Sequence, residues 1–336
     1  MRKITIIAEV GPNHNGNYKL AKKFVDKISK SGADYIKFQT SIASDHISKF
    51  ALKAAYQKKN TKKNKESQLE MAKNISLSHK EFDLIFNYCK KKKIKFLTTA
   101  FGFKSLKFIR KFNMDYIKVP SGEINNLIYL KNLPINKKTK ILLSTGMSKI
   151  SEIKEAIILL QKFGIPKKKI ILLQCTSAYP VPFKDVNLNA MLTLKKKFGV
   201  DVGFSDHSKG IEASIAAVAL GAQFIEKHVT FNNNLPGPDH RASLNMNQFY
   251  TLVKSIRNIE KALGDGIKKI ENSEKKNKIV ARNSIVAKKE IRKNEKFNIN
   301  NITIKRPGYG ISPMKFGKIV GKKAKKKFKT DEIISL

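Results

Sequence analysis

Eight short apolar runs, rich in β-branched residues, recur through the first 265 residues, and polar junctions lead from them into stretches of helical period. They fall at 4–10, 35–40, 94–100, 116–120, 140–145, 170–176, 200–206 and 222–230. Helical stretches lie between them at 17–31, 78–92, 150–164 and 210–221; in 150–164, Ser151 reads as the cap and Gly164 as the stop. Eight strands alternating with helices over about 250 residues is the arithmetic of an α/β (β/α)8 TIM barrel. A doubly wound open sheet is the runner-up. The barrel alone demands that chemistry gather at the C-terminal ends of nearly all its strands, where the βα loops meet.

The strand ends answer that demand. They carry Glu9, Lys37 with Gln39, Thr98-Thr99, Lys118 with Ser121, Ser144-Thr145, Thr176-Ser177, Ser205-Asp206-His207, and Glu226 with His228. A single polar residue there is more often a turn residue or a helix cap. A full set that includes two lysines and two histidines reads as a pocket.

Residues 41–77 interrupt the rhythm with a long polar insertion, of the kind that serves as a lid or stays disordered. The barrel is expected over 1–267 and a charged, aperiodic linker over 268–278. Residues 279–336, with short apolar runs, turns and no strong helical stripe, read as a small β-rich module. Ample chain for a core is available, and no segment approaches the roughly 18 uncharged apolar residues of a membrane span. The N-terminus lacks the pattern of a secretory signal, and Cys89 and Cys175 show no framework or CxxC spacing. A cytoplasmic protein with reduced thiols and no membrane partner is therefore expected.

The 68 basic against 26 acidic residues, a formal charge of +42, invite a nucleic-acid reading. Only seven of the basic residues are arginine, and the lysines are spread over the whole chain. Phosphate and base readers favour the planar arginine fork, so an even lysine surplus reads as solvated surface, without a nucleic-acid partner. The field still attracts small anions.

Two imidazoles at successive strand ends, with oxygen donors nearby, suit an open divalent site better than a closed structural zinc; either alone could be a hydrogen-bonded pocket histidine. Mn²⁺ is the expected ion, with Mg²⁺ or Co²⁺ as substitutes. Lys37 and Lys118 sit inside apolar strands, where an unpaired ammonium is costly, so they require anionic partners. With Ser121, Ser144, Ser177 and Ser205 they suit a phosphate and a carboxylate. A Schiff-base lysine is the rival reading. Glu9 is placed either as a base or as a salt-bridge partner of a lysine.

These residues lie in "IIAEVGPNHNG", "IKFQT", "IKVPSGEINN", "LLSTGM", "QCTSAYPVP", "GFSDHSKG", "IEKHVT", "PGPDH" and "ITIKRPGYG". As an ordered set covering essentially the whole chain, they resemble the N-acetylneuraminate (sialic acid) synthase family. The resemblance implies a barrel followed by an antifreeze-like (SAF) domain, and a homodimer in which each small domain covers the partner's active site. It implies metal ligation by His207 and His228 and a catalytic Glu9. Phosphoenolpyruvate contacts are implied at Lys37, Lys118, Ser121, Ser144 and Ser205, with Ser177 where some members carry Asn. Sugar contacts are implied at Gln39, Asn60, Thr99, Glu123, Tyr179 and Asp239, with Arg306 reaching the acyl group from the other subunit. The implied reaction joins phosphoenolpyruvate to an N-acylated mannosamine-type sugar, giving N-acetylneuraminate or legionaminate plus phosphate, with the legionaminate precursor preferred over N-acetylmannosamine. The alternatives are a synthase for the pseudaminic acid precursor or for a phosphorylated sugar, a basic nucleic-acid binder, and an ice binder.

Overall fold

A computed structural model describes residues 3–63 and 65–336, which divide into two compact units, 1–265 and 266–336. In the first unit the strands are β1 (Thr5–Gly11), β2 (Tyr35–Ser41), β3 (Lys95–Phe101), β4 (Tyr116–Val119), β5 (Lys140–Ser144), β6 (Ile170–Gln174), β7 (Asp201–Asp206) and β8 (Phe224–Thr230), with the two-residue β9 (Leu244–Asn245) beside β8. All pair in parallel in the order β3-β2-β1-β8-β7-β6-β5-β4. The β1–β8 pairing wraps the sheet on itself, and β3 and β4 approach each other to complete the ring. This is the expected barrel, nearly closed, and the open sheet is set aside.

The helices run α1 (Tyr18–Ile28), α2 (Ala43–His46), α3 (Ala55–Thr61), α4 (Gln68–Ile75), α5 (His79–Lys91), α6 (Phe103–Ile109), α7 (Leu127–Lys131), α8 (Ile150–Lys162), α9 (Asn189–Phe198), α10 (Glu212–Ala219) and α11 (Met246–Ala262). Each longer helix turns an apolar stripe to the sheet. In α8 the buried positions are Ile153, Ala156, Ile157 and Leu160, the spacing of one helical face. Its cap is Lys149, not Ser151: the Glu152 carboxylate accepts the Lys149 N–H at 2.7 Å, and Ser151 lies inside the helix. Gly164 follows the last turn at φ +83°, the stop read from sequence.

The insertion at 41–77 is largely helical where described, carrying α2, α3 and α4. Its polarity hid this, because α3 reads Ala-Tyr-Gln-Lys-Lys-Asn-Thr with no apolar stripe. Among the described residues no helix is long and apolar enough to cross a membrane.

Strand alternation decides which side chains meet inside the barrel. On β2, Phe38 packs outward against Phe82 of α5, so its neighbours Lys37 and Gln39 point inward. On β8, Lys227 points outward to a fully buried ion pair with Asp206 at 2.9 Å, and Asp206 also accepts from Ser214 of α10. Glu226 and His228 therefore share the interior.

The second unit holds helices α12 (Lys275–Ala281) and α13 (Phe316–Ile319) and an antiparallel pair, β10 (Ser284–Ala287) with β11 (Ile302–Lys305). Its core gathers Ile285, Ile291, Phe297, Ile302, Phe328 and Ile334.

Candidate active site

A cavity of about 530 Å³ opens at the C-terminal ends of the barrel strands. Its lining includes Lys37, Gln39, Thr99, Lys118, Ser121, Ser144, Ser177, Tyr179, Ser205, His207, His228 and Asp239, twelve of the sixteen residues anticipated from sequence. Glu9 lies outside that lining, buried and bound to two residues that belong to it. Its Oε1 accepts from Gln39 Nε2 at 2.9 Å and its Oε2 lies 2.7 Å from Lys37 Nζ. The room for this cluster comes from Gly11, at φ +51°, where a Cβ would come within 2.9 Å of Glu9 Oε1 and 3.3 Å of His228 Cε1.

The charges form one connected set. Lys37 Nζ donates to Thr99 Oγ1 at 2.9 Å and lies 3.6 Å from Glu226 Oε2. Lys118 Nζ and Ser205 Oγ both donate to Glu226 Oε1, at 2.8 and 2.9 Å. Both lysines thus have the anionic partners their burial demanded, and Glu226 serves the two at once. Burial works against an ammonium at Lys37, but Glu226 and Glu9 outweigh it and raise its pKa. Lys37 stays charged, which disfavours the Schiff-base reading, since imine formation needs a free amine. Burial raises Glu9, partly opposed by Lys37. Burial also opposes ionisation of Glu226, and Lys118 and Lys37 reverse it, holding this carboxylate well below the usual range.

The two imidazoles meet with ring centroids 5.6 Å apart. Burial pushes His207 down to about 4. Burial, reinforced by His207 and Lys37, pushes His228 well below the usual range. Both rings are therefore neutral, the form that ligates a metal. His207 Nδ1 donates to the Thr176 carbonyl at 2.8 Å, leaving Nε2 with its lone pair. His228 Nδ1 is buried without a hydrogen-bond partner, 3.8 Å from Asp239 Oδ2. Burial, with Glu9 adding, pushes Asp239 up to about 7. Among the described residues no three His, Cys, Asp or Glu side chains stand together as a group that could hold a metal ion. The donor set fits an ion held by two imidazoles with its remaining positions open. The Tyr179 ring lies 4.2 Å from His207 and edge-on, 5.7 Å, to His228.

A second group of donors gathers around Gly146. Its N–H donates to Ser121 Oγ at 3.1 Å, and Ser121 Oγ lies 3.3 Å from Cys175 Sγ. A Cβ on Gly146 would lie 2.5 Å from Ser177 Oγ and 2.7 Å from Ser121 Oγ, so these hydroxyls close tightly on that backbone. Cys175 and Cys89 are both free thiols.

Three anticipated residues stand elsewhere. Asn60 Nδ2 donates to the carbonyls of Pro238 (2.7 Å) and Tyr179 (3.3 Å) and lines a neighbouring cavity, so it braces the wall. Glu123 accepts from Asn126 at 2.7 Å in the turn after β4, outside the cavity lining. Arg306 belongs to the second unit. Glu226 was visible at its strand end but not singled out. The signal was its place two residues before His228, which a strand turns to the same face. Residues of the insertion also line the cavity, among them Tyr56, Gln68, Met71 and Ile75, and sequence periodicity did not single them out.

The NeuB family model matches residues 24–268 and the SAF domain model residues 282–336. An N,N'-diacetyllegionaminic acid synthase of Campylobacter jejuni is 49% identical over 335 residues, 99% of each chain. Its counterpart from Legionella pneumophila is 39% identical over 318 residues, 94% of this chain and 89% of that one. The crystal structure of the N-acetylneuraminic acid (sialic acid) synthetase of Leptospira borgpetersenii, in complex with citrate, superposes with a TM-score of 0.68. It is 33% identical, over 82% of this chain and 90% of that one.

Proposed function

This chain belongs to the NeuB family, and on that premise we propose that it condenses phosphoenolpyruvate with an N-acylated amino sugar to give a nonulosonic acid and phosphate. The sugar we propose is 2,4-diacetamido-2,4,6-trideoxymannose, whose product is the legionaminic acid named for the two relatives reported above. The observation that carries this reading is one cavity holding two neutral imidazoles beside two buried ammonium groups and a ring of serine hydroxyls.

Carbon 3 of phosphoenolpyruvate forms the new bond to the aldehyde carbon of the open-chain sugar, water adds at carbon 2, and phosphate leaves by C–O cleavage. His207 and His228 would hold a divalent ion, Mn²⁺ in this reading, which would supply Lewis-acid polarisation of the aldehyde. Lys37 and Lys118 hold the carboxylate and phosphate of phosphoenolpyruvate, with Ser121, Ser144, Ser177 and Ser205 donating hydrogen bonds. Glu9, raised by its burial, takes the proton released as water adds, while Gln39 and Lys37 hold its two oxygens in place. Tyr179 and Asp239 hold the sugar over the imidazoles, with Gln39 and Thr99. Asn60 supports that region through its bonds to the Pro238 and Tyr179 carbonyls, and Glu123, held by Asn126, is the outermost of the proposed sugar residues. The enzyme acts in the cytoplasm as a homodimer, the SAF unit covering the partner's site and presenting Arg306 to the sugar's acyl group.

The test is phosphate release from phosphoenolpyruvate with Mn²⁺ and each candidate sugar in turn, with the product's mass measured. Release coupled to a nine-carbon product is expected. Turnover of none of the sugars would refute the reading.

A further inference from the structure

The insertion builds one wall of the cavity, and its composition differs from the rest. Gln68, Met71, Ala72 and Ile75 of α4 all line it, at the i, i+3, i+4 and i+7 spacing of a single helical face, with Ile47 and Leu52 alongside. The opposite face of α4 is exposed Glu70, Lys73 and Asn74. The wall is held in a defined place. Ser67 and Glu70 form a reciprocal cap, with Glu70 N–H donating to Ser67 Oγ at 3.1 Å and Ser67 N–H to Glu70 Oε2 at 2.8 Å. Just before the helix, Glu66 pairs with the buried Lys53 at 3.1 Å and accepts from Asn74 at 3.0 Å. A helix so fixed presents its apolar row preformed, so the row can discriminate between ligands.

The floor of the cavity supplies ammonium, hydroxyl, carboxylate and imidazole groups, which account for phosphoenolpyruvate and the sugar's reacting end. Met71, Ala72 and Ile75 offer nothing to a ring of hydroxyls. A hydroxyl pressed against these three side chains loses its water partner without replacement, whereas a methyl group gains from leaving water. Gln68 contributes the single amide in the row and suits an amide on the ligand.

Resting on the reading above, we infer that the α4 face of Gln68, Met71, Ala72 and Ile75 determines sugar choice. It selects a hexose whose far end carries a deoxy methyl and a second acylamino group over a fully hydroxylated N-acylmannosamine. Sugars are separated here by burial of methyl groups, an effect that for one such group reaches about 10- to 200-fold in kcat/KM.

The experiment measures kcat/KM for 2,4-diacetamido-2,4,6-trideoxymannose and for N-acetylmannosamine in the full-length enzyme, in Ile75→Gln and in Ala72→Ser. Ile75 is half-buried at the last position of α4, and the serine is a one-atom change, so at least one variant keeps the fold. The wild type is expected to favour the trideoxy sugar at least tenfold. In the variants that ratio falls at least fivefold through the sugar's KM, with the KM for phosphoenolpyruvate unchanged. A role confined to packing would lower turnover of both sugars together and leave the ratio fixed, which overturns the inference. So would a wild type that prefers N-acetylmannosamine. Phosphate release with neither sugar would instead sink the proposed function.

Discussion

Lys118 Nζ lies 2.8 Å from Glu226 Oε1, which ties β4 to β8, strands that are not neighbours in the sheet, across the barrel interior. Lys37 approaches the other oxygen of the same carboxylate at 3.6 Å. Glu226 therefore sets where two cations stand before any substrate arrives. Breaking one side of a buried pair typically costs about 3–5 kcal/mol, while a glutamine keeps the shape and removes the charge. Glu226→Gln is expected to fold with a lowered Tm and to lose at least 100-fold in kcat/KM for phosphoenolpyruvate. Unchanged steady-state kinetics in that variant would show that the carboxylate does not position the lysines.

Gly146 tests the serine cradle. A methyl group there falls 2.5 Å from Ser177 Oγ and 2.7 Å from Ser121 Oγ, and these rotatable hydroxyls can swing away at small cost to the fold. Gly146→Ala should raise the KM for phosphoenolpyruvate at least tenfold, leave the sugar's KM near its wild-type value, and shift Tm by no more than a few degrees. Equal rises in both KM values would place the cradle elsewhere.

The clasp that joins β1, the start of β2 and α11 loses stability in acid. Arg257 of α11 reaches Asp34 Oδ2 at 2.7 Å and the Ile4 carbonyl at 2.8 Å, and Asp34 also accepts the Ile6 N–H at 2.9 Å, so three segments meet at one carboxylate. Burial opposes its ionisation, yet Lys3, the Ile6 N–H and Arg257 together hold it below its ordinary 3.8. A depressed carboxyl gives its stability in full above the unfolded value and loses it as pH falls through the folded one. Asp34→Asn should cost about 1–2 kcal/mol at pH 7, the lower part of the range for charged hydrogen bonds because both side chains keep some contact with solvent. Denaturant unfolding of the two proteins should converge as pH drops below about 3.8. A gap that persists undiminished at pH 3 would contradict the assignment.

If the SAF unit completes the partner's active site, two defective subunits can repair each other. Arg306→Ala and His207→Ala should each be nearly inactive alone, and mixing them should restore activity once native mass spectrometry shows subunit exchange. Exchange without recovery would place Arg306 in its own subunit's site or in none.

Much of this architecture was legible because the strands are buried on both faces. Ile170–Gln174, five residues all buried, stands out as an apolar run whatever surrounds it, and all eight runs became strands with ends shifted by a residue or two. The insertion was illegible for the opposite reason. Its helices face a cavity through single rows such as Met71 to Ile75, and the polar remainder reads as loop. Ser151 failed as a cap because the adjacent Glu152 reaches back to the Lys149 N–H first. Within the site, burial alone announced that Lys37 and Lys118 needed anions. Only the closed ring shows that Glu226 serves both, because it stands 108 residues beyond Lys118 in the chain.

The proposed reaction requires His207 and His228 to share one divalent ion. Titrating Mn²⁺ into wild type and His207→Ala, by electron paramagnetic resonance, alongside phosphate release from phosphoenolpyruvate and the preferred sugar, addresses it directly. One tight site and rapid release are expected in the wild type, with both lost in the variant and the fold retained by circular dichroism. Undiminished Mn²⁺ binding, or full turnover after chelation, in His207→Ala would contradict it.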